Sequence, residues 1–386
     1  MKKKIFYWSP CLNPVGTVIS TKNSSVSLTK YSKEYEVFII NACGEWDKFK
    51  DEFLKDDVSV IDLGFKYFKY LPKTGYIQSR FSYLVIFVLS FIPLLRLLKK
   101  KNANILIAQL ITSLPIFIFK LFNFKTDLIL RISGMPKLNF IRKKFWEICS
   151  SGIKIMTCPS IELKNKIEEL KIIENKKIHY LQDAVININE FNRQLKDQNN
   201  LNDIFSKNHT VFLSVGRLTR QKNFNYLIKE FHKLYIENKN CRLVILGDGE
   251  EYQNLKKLIK KKNLDNVVFL LGRVKNVFKY MKASDAFILS SLWEEMGFVI
   301  IESALANLFI ISSNCPNGPS EFLNYGKNGI LYENNVENAL YESLIKFQKL
   351  DETKKKNDRL ELKKNSIKFT KFRHYNDLNK ILKLNN

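Results

Sequence analysis

Five short apolar runs punctuate the second half of the chain: Thr210–Val215, Arg242–Leu246, Val267–Leu271, Ala286–Leu289 and Phe309–Ser312. Segments of helical period separate them, at Asn225–Tyr235, Glu251–Lys262 and Phe298–Leu305. Strands that alternate with helices demand crossover connections, so the segment is expected to fold as a doubly wound parallel sheet. The first half carries the same rhythm less regularly. Ile5–Trp8, Glu36–Asn41, Ile105–Leu110, Leu128–Ile132 and Lys154–Cys158 read as strands, and Ser160 reads as the N-cap of a helix reaching about Leu170.

A chain of 386 residues holding two such patterns is expected to be two α/β domains. Residues 1–190 form the first, and 209–365 the second. The polar stretch from Asn187 to Asn208 suggests a linker, placed at 191–208. Residues 366–386 read as a C-terminal helix able to pack back on the first domain.

The net charge of +25 points to a polyanionic partner: nucleic acid, anionic lipid or a phosphorylated substrate. Codon bias is a second reading, because Lys, Asn and Ile are abundant together. No nucleic-acid-binding motif accompanies the charge, so no nucleic-acid partner is expected. The six cysteines form no C-x-x-C pair and there are only four histidines, so neither a zinc site nor a disulfide scaffold is expected. The apolar run near the start is four residues long and ends before Pro10, which suits a first strand better than a signal peptide.

Phe81–Leu98 is the most hydrophobic stretch. At 18 residues, with Pro93 and Arg96 inside it, it sits at the lower limit for a membrane span. A buried helix and a helix lying in a membrane interface, flanked by Arg80 and Lys99–Lys101, are the other readings.

Chemistry is expected where strands feed loops and helix N-termini, since unpaired N–H groups there attract anions. Gly216 follows a strand, and Arg217 and Lys222 place two cations in one short loop, which suits a diphosphate. Gly297 allows close backbone approach at a helix start, and Glu302 lies about one turn further on, in reach of ribose hydroxyls. Either loop alone has a plain alternative: a solvated loop, or a helix-capping carboxylate.

Taken together the segments are specific. VGRLTRQKNFNYLIKEF, LVILGDGEEYQNLKKLI, VVFLLGRVKNVFKYMKASDAFILSS, WEEMGFVIIESALA and NCPNGPSEFL resemble, in order and spacing, the family 4 retaining glycosyltransferases of glycosyltransferase-B fold. Bacterial polysaccharide and lipopolysaccharide enzymes belong to that family. The resemblance covers about 110 residues, including G-R-L-x-x-Q-K-N and the E-x7-E frame of Glu294 and Glu302. It implies two Rossmann-like α/β domains facing across a cleft, and a UDP- or GDP-linked sugar donor. It further implies a glycan or lipid-linked acceptor, no separate cofactor, and no metal; the absence of a D-x-D triplet agrees. Arg217 and Lys222 would stabilise the leaving diphosphate and Glu294 would contact the transferred sugar. Glu302 would hold the ribose, and Arg273 and Val274 would lie beside the base. Met296, Gly297, Phe298 and Val299 would present backbone to phosphate or sugar, with Glu321 closing the neighbouring loop. Gly16 belongs to a first-domain loop that approaches the phosphates.

The acceptor side resembles the family less. Arg131 and Ser133 occupy a motif that often carries a histidine, and no histidine lies between residues 1 and 178. A nucleotide-sugar epimerase and a non-catalytic subunit of the same fold remain alternatives. Basic flanks and a lipid-linked acceptor lead to the expectation of a cytoplasmic protein, peripheral on the inner face of the cytoplasmic membrane.

Overall fold

The computed structural model describes residues 2–12, 16–73, 76–136, 139–196, 203–205 and 208–384. It divides into two compact units: residues 1–185 with 371–386, and residues 186–370.

The first unit is built on seven parallel strands: β1 (Lys3–Trp8), β2 (Tyr35–Asn41), β3 (Val58–Asp62), β4 (Ile105–Ala108), β5 (Asp127–Arg131), β6 (Ile155–Cys158) and β7 (Ile178–Tyr180). Their order is β3-β2-β1-β4-β5-β6-β7, so the winding direction reverses between β1 and β4. Helices cover both faces, which is why the central strands read as unbroken Ile, Leu and Phe runs rather than as alternation. On one face Phe6, Trp8, Leu106, Leu128, Leu130 and Met156 pack under helices Tyr76–Lys100, Ser113–Leu121 and Phe140–Cys149. On the other, Ile5, Tyr7, Ile39 and Ile107 pack under helices Gly16–Tyr31 and Lys371–Lys383.

Helix Gly16–Tyr31 is buried although it is polar: Ser20, Thr21, Asn23, Ser24, Ser25 and Ser27 are all inside. Specific hydrogen bonds replace an apolar stripe. Ser24 meets Tyr7 at 3.0 Å and His374 Nε2 at 2.8 Å, Ser20 donates to Asp183 at 2.6 Å, and Asn23 donates to the Ala184 carbonyl at 2.8 Å. Buried polar groups of this kind are tolerated only when paired.

The second unit has six parallel strands: β8 (Thr210–Val215), β9 (Cys241–Leu246), β10 (Val268–Leu270), β11 (Ala286–Leu289), β12 (Phe309–Ser313) and β13 (Ile330–Tyr332). The order β10-β9-β8-β11-β12-β13 puts the reversal between β8 and β11.

Three boundaries differ from the sequence reading. Within the expected linker 191–208 the chain continues a helix, Ile188–Leu195, that belongs to the second unit. Its Phe191 is buried edge-on against Phe278 at 4.8 Å, and Asn276 donates to the Gln194 carbonyl at 2.8 Å. Ile188, Phe191 and Leu195 supply an apolar i, i+3, i+7 face that the surrounding Asn and Gln obscured. The units part at 185/186 rather than 190, and again at 370/371 rather than at 365/366. Strands β3, β7 and β13 were not anticipated. They are three to five residues long, lie at sheet edges and are partly solvated.

Candidate donor site

The reversal of winding between β8 and β11 separates two strand-to-helix loops, leaving a crevice at the carboxyl edge of the sheet. The loop after β8 runs from Gly216 to Asn223, and the loop after β11 from Ser290 to Gly297. They are tied together. Leu292 N–H donates to the Gln221 carbonyl at 2.8 Å, Gln221 Nε2 donates to the Trp293 carbonyl at 2.8 Å, and Ser290 Oγ donates to the Lys222 carbonyl at 2.7 Å.

Lys222 is mostly covered. Its stem crosses Gly216 so closely that a Cβ there would lie 3.2 Å from Cδ and Cε. A residue at 216 larger than glycine would push the stem aside. The ammonium forms an ion pair with Glu294, whose side chain is 7% exposed. Ser291 Oγ donates to the same carboxylate oxygen at 2.5 Å, and Ser313 Oγ donates to the Ser291 carbonyl at 2.7 Å. The pair is thus held by a chain of serines reaching from β12. Ser291 and Ser313 were not singled out from sequence; the signal available was a serine pair, Ser290-Ser291, directly before the loop.

Arg217 extends into solvent with no partner among the described residues. Of the loop's three cations, Lys222 is neutralised within the protein, while Arg217 and Arg220 are exposed to an incoming anion.

Gly297 adopts φ +65°, the left-handed conformation that glycine enters without a Cβ penalty, and caps helix Phe298–Leu305. Ile300 N–H turns back to the Gly297 carbonyl at 2.8 Å, whereas the N–H groups of Phe298 and Val299 begin the helix with no intrahelical acceptor. Met296 is buried behind this turn. Glu302, one turn along, keeps some exposure, and its carboxylate has no hydrogen bond or ion pair among the described residues. Burial pushes its carboxyl up to about 7. A buried carboxylate without a partner is costly unless something polar is delivered to it.

The remaining expected residues flank this centre. Arg273 is exposed in the loop after β10, with Nε 3.8 Å from Asp248, and Val274 beside it is half-buried. Glu321 lies half-buried in the short helix Pro319–Phe322 after β12. No group of three His, Cys, Asp or Glu with metal-holding geometry occurs among the described residues.

In the first unit, Gly16 opens helix Gly16–Tyr31. Arg131 points inward: it is 3% exposed, ion-paired with Asp183, and within 3.3 Å of Ser20 Oγ. Its charge is spent on the fold, so it is not presented to a ligand as the sequence reading had it. Ser133 lies instead in a neutral chain at the β1/β4 reversal. Gln109 Nε2 donates to Ser133 Oγ at 3.3 Å, Gln109 accepts from Thr21, and Thr21 meets Ser9 at 3.1 Å. Ser9, Thr21 and Gln109 were not foreseen; single polar residues at strand ends have no recognisable spacing.

The sequence pattern of the glycosyl transferases group 1 family matches residues 196–369. The chain carries a glycosyl transferases group 1 domain. A glycosyltransferase of Methanocaldococcus jannaschii is 39% identical over 161 residues, covering 38% of this chain and 40% of that protein. The N-acetylgalactosamine-N,N'-diacetylbacillosaminyl-diphospho-undecaprenol 4-alpha-N-acetylgalactosaminyltransferase of Campylobacter jejuni is 29% identical over 233 residues, 58% of this chain and 61% of that enzyme. The match thus spans about half the length of these curated relatives. An Anabaena protein solved with UDP and glucose superposes with a TM-score of 0.71 at 15% identity, over 99% of each chain. The two doubly wound units therefore form the glycosyltransferase-B fold, whose group 1 domain is the second unit.

Proposed function

We propose that the protein is a retaining glycosyltransferase that moves a sugar from a nucleoside-diphosphate donor to a lipid-linked or glycan acceptor in cell-surface polysaccharide or lipopolysaccharide synthesis. The observation that carries the reading is the charge arrangement at the β8/β11 reversal. A paired Lys222–Glu294, a free Arg217, unpaired helix N–H groups and a carboxylate without a partner at Glu302 lie on two adjoining loops of one sheet edge and the helix that follows the second. An arriving diphosphate competes with Glu294 for Lys222 and takes Arg217 as its second cation. Glu294, relieved of its counter-ion, accepts hydrogen bonds from the sugar, while Ser291 keeps it in place. Glu302 accepts from ribose hydroxyls. As the sugar–phosphate bond breaks, negative charge grows on the departing diphosphate, where fixed cations stabilise it most.

Glu294, held by Ser291 and accepting from the sugar hydroxyls, serves in binding rather than nucleophilic attack, and in this reading retention proceeds without a covalent glycosyl–enzyme intermediate. Two side-chain cations fill the place of a metal ion. The Campylobacter relative is named for an undecaprenol diphosphate-linked acceptor, and the Anabaena neighbour binds UDP and glucose; both support the substrate classes.

Titrating the protein with UDP and GDP, then following hydrolysis of UDP- and GDP-sugars, tests the reading. Binding of one nucleotide with slow donor hydrolysis is expected, and Lys222→Ala should remove the hydrolysis. Binding without hydrolysis or transfer to any acceptor would mark a non-catalytic subunit, and conversion of the sugar while it remains nucleotide-linked would mark an epimerase.

A further inference from the structure

Helix Tyr76–Lys100 divides lengthwise. Ser82, Ile86, Ser90, Leu94 and Leu97 are buried, three or four residues apart, along the side that meets the sheet, with Leu98 beside the last. Ile77, Phe81, Leu84, Val88 and Ile92 follow the same spacing on the other side and are 80, 59, 59, 60 and 55% exposed. An outward helix face on a soluble domain is ordinarily polar. This one is apolar from Phe81 to Leu95, between Arg80 and Arg96.

The face does not stand alone. Helices Ser113–Leu121 and Phe140–Cys149 lie beside it on the same side of the sheet, and Phe117 joins them through ring contacts to Phe91 at 6.1 Å and Phe145 at 6.4 Å. Their outward sides add Leu121, Phe140, Ile141 and Ile148, each more than half exposed. Single exposed apolar residues need no explanation, but a continuous field of this kind marks a docking surface.

Charge identifies what docks. Residues 76–149 contain twelve Lys and Arg against two Asp and Glu, whereas the whole chain has 63 against 38. Arg80, Arg96, Lys99–Lys101, Lys120 and Arg142–Lys144 border the apolar field. A second copy of this chain would bring the same cations face to face, which opposes self-association. An anionic bilayer offers both an apolar interior and the opposite charge. The helix does not span it, because its other face is inside the protein core.

We infer that the outward surface of helices Tyr76–Lys100, Ser113–Leu121 and Phe140–Cys149 is a membrane-docking face for anionic lipid. The helices run antiparallel to the strands, as crossover connections require. Their N-terminal residues Ile77, Phe81, Phe140 and Ile141 thus lie toward the sheet edge that holds Gln109 and Ser133. Bilayer contact at that edge brings a lipid-linked acceptor to the first unit's switch point. This last step rests on the proposed function; the lipid binding does not.

Flotation with vesicles of phosphatidylglycerol and phosphatidylcholine, against phosphatidylcholine alone, tests the face without any substrate. The full chain should float with the anionic vesicles. A fraction should remain bound in 1 M salt, where electrostatic attraction is screened to about 3 Å, and be released by detergent. The double variant Leu84→Glu, Val88→Glu should lose at least tenfold of the salt-resistant fraction. Replacing Lys99, Lys100 and Lys101 by Ser should weaken binding at low salt only. Circular dichroism and thermal melts of both variants should match those of the unsubstituted protein, which shows that the first unit folds. Failure to float at low salt, or equal flotation of the Leu84→Glu, Val88→Glu variant, overturns the inference. A soluble dimer that this variant converts to monomer also overturns it, and assigns the face to self-association.

Discussion

The two units share a topology and differ in what they place at its switch point. In the second unit the crevice between β8 and β11 carries charge: Lys222 against Glu294, Arg217 free, Glu302 without a partner. In the first, the reversal between β1 and β4 carries hydroxyls and an amide, Ser9, Thr21, Gln109 and Ser133, while the charges Arg131 and Asp183 are buried and paired with each other. One edge is made to hold an anion, the other to exchange hydrogen bonds with neutral groups. Under the proposed function, the same scaffold separates binding of a diphosphate from recognition of a sugar or lipid-borne hydroxyl.

The sharpest way to break this contrast is to remove the anion-holding charge. Lys222→Ala should lower the turnover number for transfer by about 100-fold or more, the scale of losing one fixed donor to a developing oxyanion. Near-normal turnover in Lys222→Ala, measured at saturating donor, would remove the charged centre from the mechanism. Glu302→Gln should weaken nucleotide binding by about tenfold, the worth of one charge-assisted hydrogen bond. Because burial raises the Glu302 carboxyl to about 7, its acceptor form is lost as pH falls through 7. Affinity in the unsubstituted protein should decline from pH 8 to pH 6, and calorimetric titration of Glu302→Gln should show a flatter profile. A profile identical in both would assign the pH dependence elsewhere.

On the neutral side the effects should be smaller and of another kind. Gln109→Ala should raise the acceptor KM by less than tenfold and leave donor hydrolysis unchanged, as loss of a neutral hydrogen bond implies. A fall in donor hydrolysis would show that the two edges are not separate in function. His374 sharpens the contrast from within the first unit. Its ring is fully buried between Ser24 and the Gln182 carbonyl, and burial pushes it down to about 3. The folded state therefore refuses a proton that the unfolded chain accepts near 6.5. Stability should be complete above 6.5 and decline as pH falls from there toward 3. His374→Gln should lose part of that slope between pH 7 and pH 5 in thermal melts. The smallest effect is an expected constancy: excess chelator should leave transfer rates within about twofold, and a strict manganese or magnesium requirement would contradict two cations serving in place of a metal.

The same contrast explains what could be read from the letters. Gly216, Arg217, Lys222, Gly297 and Glu302 stand in segments whose order and spacing resemble the family 4 glycosyltransferases, so the second unit was legible as fold from its apolar runs and as candidate site through that resemblance. The first unit's core strands were legible as apolar runs, but nothing in the letters between the first two marks helix Gly16–Tyr31 as buried. Its burial depends on partners more than a hundred residues away, Asp183, Ala184 and His374, and no local pattern announces them. Arg131 misled because a basic residue at a strand end looks available until its distant carboxylate is known. The segment 188–195 misled because Asn and Gln dilute a genuine apolar face.

Helix Lys371–Lys383 closes the first unit: Leu378, Ile381 and Leu382 pack with Ile5, Tyr7 and Ile39, and His374 completes the Ser24–Tyr7 chain. During translation the ribosome delivers that closing piece only after all of residues 186–370. At roughly 5–20 residues per second the wait is about 10 to 40 seconds. Through that interval the first unit keeps an open apolar flank, and the second unit is complete only as it ends. The earlier half of the chain therefore cannot be sealed until the whole of its later half has been made.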